Sequence, residues 1–241
     1  REGGVYPANS VIETPAKAYY EPKTLFCDGT HAVSGTPDEL FSESFSLGKL
    51  SAAAQDGDLI VASALGGAEA SFAEAVCSGR AFAGADTLFA ALPTLSAARF
   101  AAATLQIPLI YVQYHKNARR ATFTLLDENG LCPGQAFLKR FSPQQALSES
   151  SKKQEGTRKP LPGTVLSAYR FLLSAALPDL DGAKISVFPN AAGKLFAEAL
   201  RERGAEPEFA THGAGLFFDL QENGENAILL VNRNFLCDAD R

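Results

Sequence analysis

The feature of this sequence that most limits its fold is a regular alternation between short apolar runs and longer segments with helical spacing. Asp58-Leu-Ile-Val-Ala62, Pro108-Leu-Ile-Tyr-Val-Gln113 and Ala183-Lys-Ile-Ser-Val-Phe188 are brief and rich in β-branched residues, the pattern of strands buried within a sheet. Further strands are expected at Lys23–Cys27, near Thr87–Phe89 and at Thr122–Leu126, the last followed by an Asn-Gly turn signal in Asp127-Glu-Asn-Gly130. Between them fall helical stretches. The spacing predicts a helix over 37–54, opened by the capping box Thr36-Pro-Asp-Glu39 with proline at its first position. Others are expected over 68–79, from Pro93 to about Leu105, from about Pro143, over Val165–Leu177, and over Gly193–Arg203, where Gly204 stops the last. Two extended runs, Leu216–Asp219 and Ala227–Val231, flank a Gln-Glu-Asn-Gly-Glu-Asn turn. Strands alternating with helices of this length argue for α/β layers with helices on both faces of each sheet.

The chain, at 241 residues, has room for one large domain or two small ones. The polar, proline-containing stretch Ser148–Pro162 (SESSKKQEGTRKPLP) marks the expected boundary. The expected order is an irregular arm over 1–22, a domain over 23–147, a linker over 148–162 and a second, incomplete domain over 163–241. With 46% hydrophobic and 20% charged residues, the composition excludes a disordered or collagen-like chain. No apolar run approaches the roughly 18 residues of a membrane span, and the N-terminus lacks a basic start followed by an apolar core. A cytoplasmic protein without a membrane partner is expected. Twenty-two basic against 27 acidic residues leave a net charge of -5, which gives no electrostatic basis for nucleic acid as a partner.

Cys27, Cys77, Cys132 and Cys237 form no CxxC pair, so free thiols are expected rather than zinc or a disulfide framework. His31, His115 and His212 are too scattered for a metal centre. Lys116, Arg119 and Arg120 could contact a phosphate or an acidic partner, or form a solvated basic turn. Lys152, Lys153, Arg158 and Lys159 read as charges that solvate the linker. Gly66 and Gly67 suit a strand-to-helix turn whose amides could hold an anion.

The order of these elements, with Cys27-Asp-Gly-Thr-His-Ala-Val-Ser-Gly35 near the start, resembles the first two domains of the phosphohexomutases: the phosphoglucomutases, phosphomannomutases and phosphoglucosamine mutases. The second half is similar too, through Tyr169-Arg-Phe-Leu-Leu173, Leu180-Asp-Gly-Ala-Lys-Ile-Ser-Val-Phe188, Asn190-Ala-Ala-Gly193 and Leu200-Arg-Glu-Arg-Gly-Ala-Glu206. The resemblance implies two three-layer α/β/α domains with mixed sheets. It also implies where chemistry would sit. An Asp-Gly-x-Arg-Gly motif corresponds to Asp28, Gly29 and, in place of the arginine, His31. A Thr-Ala-Ser-His-Asn-Pro loop carrying the phosphoserine corresponds to Val112-Gln-Tyr-His-Lys-Asn117, which puts Tyr114 at the serine position and keeps His115 beside it. A metal loop, Asp-Gly-Asp-x-Asp-Arg, corresponds to Phe218-Asp-Leu-Gln-Glu-Asn-Gly-Glu-Asn226, where Asp219 stands at one ligand position but Gln221 and Asn223 at the other two. The Asp-Thr-Arg motif after the second strand corresponds to Ala64-Leu65-Gly66, which has no charge where the arginine would stand.

The family's reaction passes a phosphoryl group between a hydroxyl nucleophile and a phosphosugar beside a divalent cation. A phenol can carry phosphate, but its oxygen lies several ångströms further out than a serine's. Amides at two ligand positions remove the charge a hard cation needs. Glu222 and Glu225 could bind metal weakly or form a solvated acidic turn, and Asp238-Ala-Asp-Arg241 resembles the metal loop by letters but follows it by one strand. The expectation is a degenerate phosphohexomutase without cofactor, acting as a binding, structural or regulatory protein through a protein partner or as a homo-oligomer. The alternative is a divergent phosphosugar mutase using Mg²⁺.

Overall fold

The computed structural model describes residues 25–64, 67–141, 155–210, 216–218, 220–223 and 226–229. The expected N-terminal arm, the helix from Pro143, Lys152, Lys153, Gly66, His212, Asp219, Glu225, Cys237 and 238–241 lie outside these residues.

The elements run β1 (Thr30–Ser34), α1 (Pro37–Ala54), β2 (Ile60–Ser63), α2 (Ala68–Phe82), β3 (Thr87–Ala91), α3 (Leu95–Leu105), β4 (Leu109–His115), β5 (Arg120–Leu126), α4 (Gln135–Leu138), β6 (Arg158–Pro160), α5 (Thr164–Ala176), β7 (Lys184–Val187), α6 (Ala191–Glu202), β8 (Glu206–Phe209), β9 (Leu216–Phe218), β10 (Leu220–Asn223) and β11 (Asn226–Leu229). The first six strands form one mixed sheet in the order β1-β5-β4-β2-β3-β6. Strands β4, β2, β3 and β6 are parallel, while β5 runs antiparallel to both β4 and β1.

Alternation along β4 sorts its side chains between two cores. Ile110 and Val112 join Leu40 and Leu47 of α1 and Phe72 and Val76 of α2 on one face. Leu109 and Tyr111 join Ala97, Ala98, Ala101 and Ala102 of α3, with Val165 of α5, on the other. Helices on both faces explain why the central strands read as continuous apolar runs. The architecture is α/β with a mixed sheet, as the sequence implied.

Local chemistry fixes the helix starts. The capping box forms: the Thr36 N–H donates to Glu39 Oε2 at 2.8 Å and the Glu39 N–H to Thr36 Oγ1 at 3.4 Å. The Thr94 hydroxyl accepts from the Ala97 N–H and Asn190 Oδ1 from the Gly193 N–H, opening α3 and α6. Helices α1 and α2 meet at a pair of glycines. A Cβ on Gly48 would stand 2.1 Å from the Val76 carbonyl oxygen, and one on Gly79 only 2.0 Å from that of Phe45, so this seam admits no side chain on either side.

The second unit is smaller. Strands β8-β7-β9 are parallel, and Ile185 and Val187 of β7 pack with Ala197 and Leu200 of α6. Helix α5 lies between the units: Tyr169 meets Phe100 of α3 at 5.5 Å between ring centroids, and Arg170 pairs with Glu198 at 3.0 Å and Glu202 at 2.9 Å on α6. Strands β10 and β11 form a separate antiparallel hairpin.

Three expectations change. Lys23 and Thr24 of the first expected strand lie outside the described residues, and among the described residues the first strand begins at Thr30 rather than running through Cys27. Cys27 makes one antiparallel bridge to Thr30 across a tight turn in which Asp28 (φ 49°) and Gly29 (φ 77°) are both left-handed, and the strand begins after it. Second, the described end of the expected linker is strand β6 of the first sheet, so that sheet continues past residue 155 and the separation between sheets falls after Pro160. The side chains of Arg158, Lys159 and Pro160 are all exposed, and an edge strand tolerates the polar, proline-containing composition that reads as a linker. Third, most of the expected turn over 221–226 is paired: Gln221 lies opposite Ile228, Glu222 opposite Ala227 and Asn223 opposite Asn226. Among the described residues no helix is long and apolar enough to cross a membrane.

Candidate functional site

In an open α/β sheet, ligands bind beyond the carboxyl ends of the parallel strands. In this chain that edge gathers the end of β4, the first turn of α1 and the starts of α2 and α3, because β1 runs in the same direction as β4 and delivers the chain into α1 there. The β4–β5 hairpin closes at the pair His115 and Arg120. Its turn is held by N–H donation from Ala118 to the His115 carbonyl at 3.1 Å and from Arg119 to the Lys116 carbonyl at 3.2 Å. Arg119 is left-handed at φ 45°, and its carbonyl accepts the Gly35 N–H at 3.0 Å. That bond fastens the hairpin tip to the entrance of α1. The side chains of His115, Lys116, Arg119 and Arg120 are all exposed there, four cation-capable groups on one tip.

Tyr114 behaves differently. It sits inside β4, opposite Ala121, on the face it shares with Ile110 and Val112. Its half-buried ring packs edge-on against Phe72 of α2 with centroids 5.3 Å apart. The position that the resemblance aligns with a phosphoserine loop is therefore a register-fixed strand residue whose ring extends the core.

The two candidates of the first motif do not join this tip. His31 lies part-way along β1, its ring stacked on Phe123 at 6.0 Å and its Nε2 3.4 Å from Glu43 Oε1 of α1. Asp28 is at the other end. Thr30 is level with Thr124 and Tyr111, and Ser34 with Arg120 and His115, so at about 3.4 Å per residue Asp28 and His115 are separated by at least ~14 Å along the strands. The Asp28-Gly29 turn is packed in place, with the Gly29 carbonyl accepting the Leu125 N–H at 2.7 Å and Cys132 Sγ standing 2.8 Å from where a Gly29 Cβ would be. The structure thus brings together Tyr114, His115, Lys116, Arg119 and Arg120, and leaves His31 and Asp28 apart from them.

Among the described residues, no three His, Cys, Asp or Glu side chains are grouped so that they could hold a metal ion. Gln221 and Asn223 lie on β10 at paired positions, and Asp219 lies outside the described residues.

A fold-level comparison becomes informative at this point. The chain is similar to the solved structure of a phosphoglucomutase/phosphomannomutase family protein from Burkholderia thailandensis, at 16% identity and a TM-score of 0.54, over 76% of this chain and 42% of that one. It is likewise similar to a candidate phosphomannomutase from Thermus thermophilus, at 17% identity and a TM-score of 0.55, over 76% of this chain and 45% of that one. The fold is phosphohexomutase-like. No protein-family model and no curated protein sequence matches the chain. It spans less than half the length of these two structures.

Sequence reasoning missed the fully buried charge that the described residues carry, in the last turn of α2. The Arg80 side chain, fully buried, donates to the carbonyls of Ser51 and Gly57 at 2.8 Å each and to that of Asp86 at 3.1 Å. Burial lowers its pKa to about 10, against partial compensation from Cys77, Asp58 and Asp86. It stays charged at neutral pH and ties the end of α1 to the loops that precede β2 and β3. An arginine in the last turn of an alanine-rich helix looks like a solvated charge, so no signal in the sequence separates it from an exposed one.

Proposed function

We propose that this chain is a phosphohexomutase-like binding protein that performs no phosphoryl transfer and acts through its surface, on a protein partner or another copy of itself. The observation that carries the reading is Tyr114. Phosphoryl transfer needs a hydroxyl free to meet the phosphosugar in line and beside a cation. Tyr114 is instead held in strand register opposite Ala121 with its ring against Phe72, and moving the phenol oxygen into a transfer geometry would strip that ring from the core. No metal or other cofactor enters this reading, and the protein is proposed to work in the cytoplasm.

The exposed cations of the hairpin tip support a second, narrower reading, in which a phosphosugar is held there without turnover. Lys116, Arg119 and Arg120 present positive charge beside the entrance of α1, with the His115 side chain exposed next to them, and the net charge of -5 makes this a local feature rather than a general one. The test is a coupled mutase assay with glucose 1-phosphate, mannose 1-phosphate and glucosamine 1-phosphate, each with a hexose bisphosphate primer across a Mg²⁺ titration. No turnover with any substrate is expected. Saturable, Mg²⁺-dependent turnover would instead support a divergent phosphosugar mutase.

A further inference from the structure

Helix α5 carries an outward face without a single charge. Thr164, Ser167, Ala168, Phe171, Leu172, Ala175 and Ala176 are its exposed residues, and Phe171 and Leu172 leave 68% and 51% of their surface open. The helix's one charged residue, Arg170, is turned toward α6 and paired there with Glu198 and Glu202. The inner side is already satisfied, with Val165 buried and Leu166 and Tyr169 packed on the α3 core. The open side is therefore a second apolar face on a helix that has filled its first, and contiguous exposed apolar surface is what interaction sites are built on.

The arrangement of that face selects its occupant. Thr164, Ala168, Phe171 and Ala175 follow the 4-3-4 spacing of a helix-pairing seam. The order Ala168, Phe171, Leu172, Ala175 also reads alike from either end about a point between Phe171 and Leu172. A two-fold axis through that point would set Ala168 of one chain opposite Ala175 of another and Phe171 opposite Leu172. This is the self-complementarity that an isologous contact requires. The small alanines let the helix axes approach, and no charge on either face must be desolvated.

We infer that the face of α5 is a homodimer interface, with a second copy of this chain packed antiparallel across it. The inference gives the binding reading above a specific partner, although dimerisation is measured independently of turnover. The 13-residue helix is about 20 Å long. A single antiparallel pair of helices this short buries less than the ~1,200–2,000 Å² of a stable specific interface. The dimer is therefore expected to dissociate on dilution.

The experiment is sedimentation equilibrium of the full chain over a wide concentration range, beside the variants Phe171→Glu, Leu172→Glu and, as a control on another exposed aromatic, Phe82→Glu. The mass should rise toward twice the 25.5 kDa of one chain in the parent and the control. Both α5 variants should stay monomeric with unchanged circular dichroism. A photo-crosslinking residue at Ala168, in a mixture of isotope-labelled and unlabelled chains, should link to the other chain near Ala175. A monomer at every concentration, or a dimer that survives Phe171→Glu, overturns the proposal, and a crosslink outside 171–176 overturns the two-fold register. Turnover in the mutase assay would overturn the non-catalytic reading while leaving this result intact.

Discussion

The two edges of the first sheet are built in opposite ways. At the amino edge, before β2 and β3, the chain is locked: Arg80 is fully buried among the carbonyls of Ser51, Gly57 and Asp86, and Asp86 accepts both the N–H and the hydroxyl of Thr157 at 2.7 Å to hold the start of β6. At the carboxyl edge, where ligands bind in folds of this kind, the β4–β5 hairpin closes in register and sends four cation-capable side chains into solvent. The locked edge shows where stability is concentrated. At the other edge, Tyr114 belongs to the framework while its neighbours from His115 to Arg120 are free to meet a ligand.

Substitutions should separate the edges by size of effect. Arg80→Met should cost most, about 3–5 kcal/mol by urea denaturation, because buried carbonyls lose their donor and the loops before β2 and β3 lose their tie. Gly79→Ala should follow at about 1–3 kcal/mol, since the added methyl meets the Phe45 carbonyl and the α1–α2 seam must open. Tyr114→Ala should cost about 2 kcal/mol, less than a fully buried aromatic because the ring is half-exposed, while Tyr114→Phe should stay within about 0.5 kcal/mol. A loss on Tyr114→Ala as small as on Tyr114→Phe would mean the ring does not belong to the framework. Replacing Lys116, Arg119 and Arg120 together by Ala should leave stability within about 0.5 kcal/mol, and a larger loss would erase the contrast between the edges.

The smallest expected effect is one of pH at the locked edge. The backbone and side-chain hydrogen bonds from Thr157 hold the Asp86 carboxyl below its ordinary value of 3.8. A carboxylate depressed in the folded state stabilises at pH above its unfolded value, and that contribution disappears as pH falls through the folded one. Protection of the amides at Thr157–Leu161, relative to their intrinsic exchange rates, should therefore fall below about pH 4, and Asp86→Asn should bring the same loss of protection to neutral pH while flattening its acid dependence. Exchange that remains slow in Asp86→Asn would assign the hold on β6 to strand pairing alone.

Much of this framework was legible in the sequence because it is written in local chemistry. The capping box at Thr36, the apolar runs of β2 and β4 and the glycine after α6 each depend on a few adjacent residues. Simple alternation along the run from Leu109 puts Tyr114 on the face of Ile110 and Val112. What stayed hidden depends on residues distant in sequence. Strand β6 reads as a linker because its pairing with β3 uses backbone groups, with Asp86 and Thr157 meeting across 71 positions. Arg80 reads as surface because its acceptors are main-chain carbonyls, which carry no residue identity. At the site, a strand through Gln113 and a basic turn were readable, but not that the strand expected at Thr122–Leu126 pairs back on the first as one hairpin, since its turn lacks the Asn-Gly signal that instead follows Leu126. Nor was the separation of Asp28 and His31 from that hairpin readable, since it follows from which end of β1 faces which end of β5.

The most direct measurement is phosphopeptide mapping of the chain after incubation with a hexose bisphosphate and Mg²⁺, with Tyr114→Phe in parallel. No phosphate on the peptide spanning Leu109–Arg120 is expected, and the parent and Tyr114→Phe should give the same map. Phosphate on Tyr114, together with mutase turnover that Tyr114→Phe abolishes, would show that the ring leaves the core to do chemistry and would contradict the non-catalytic reading at its root.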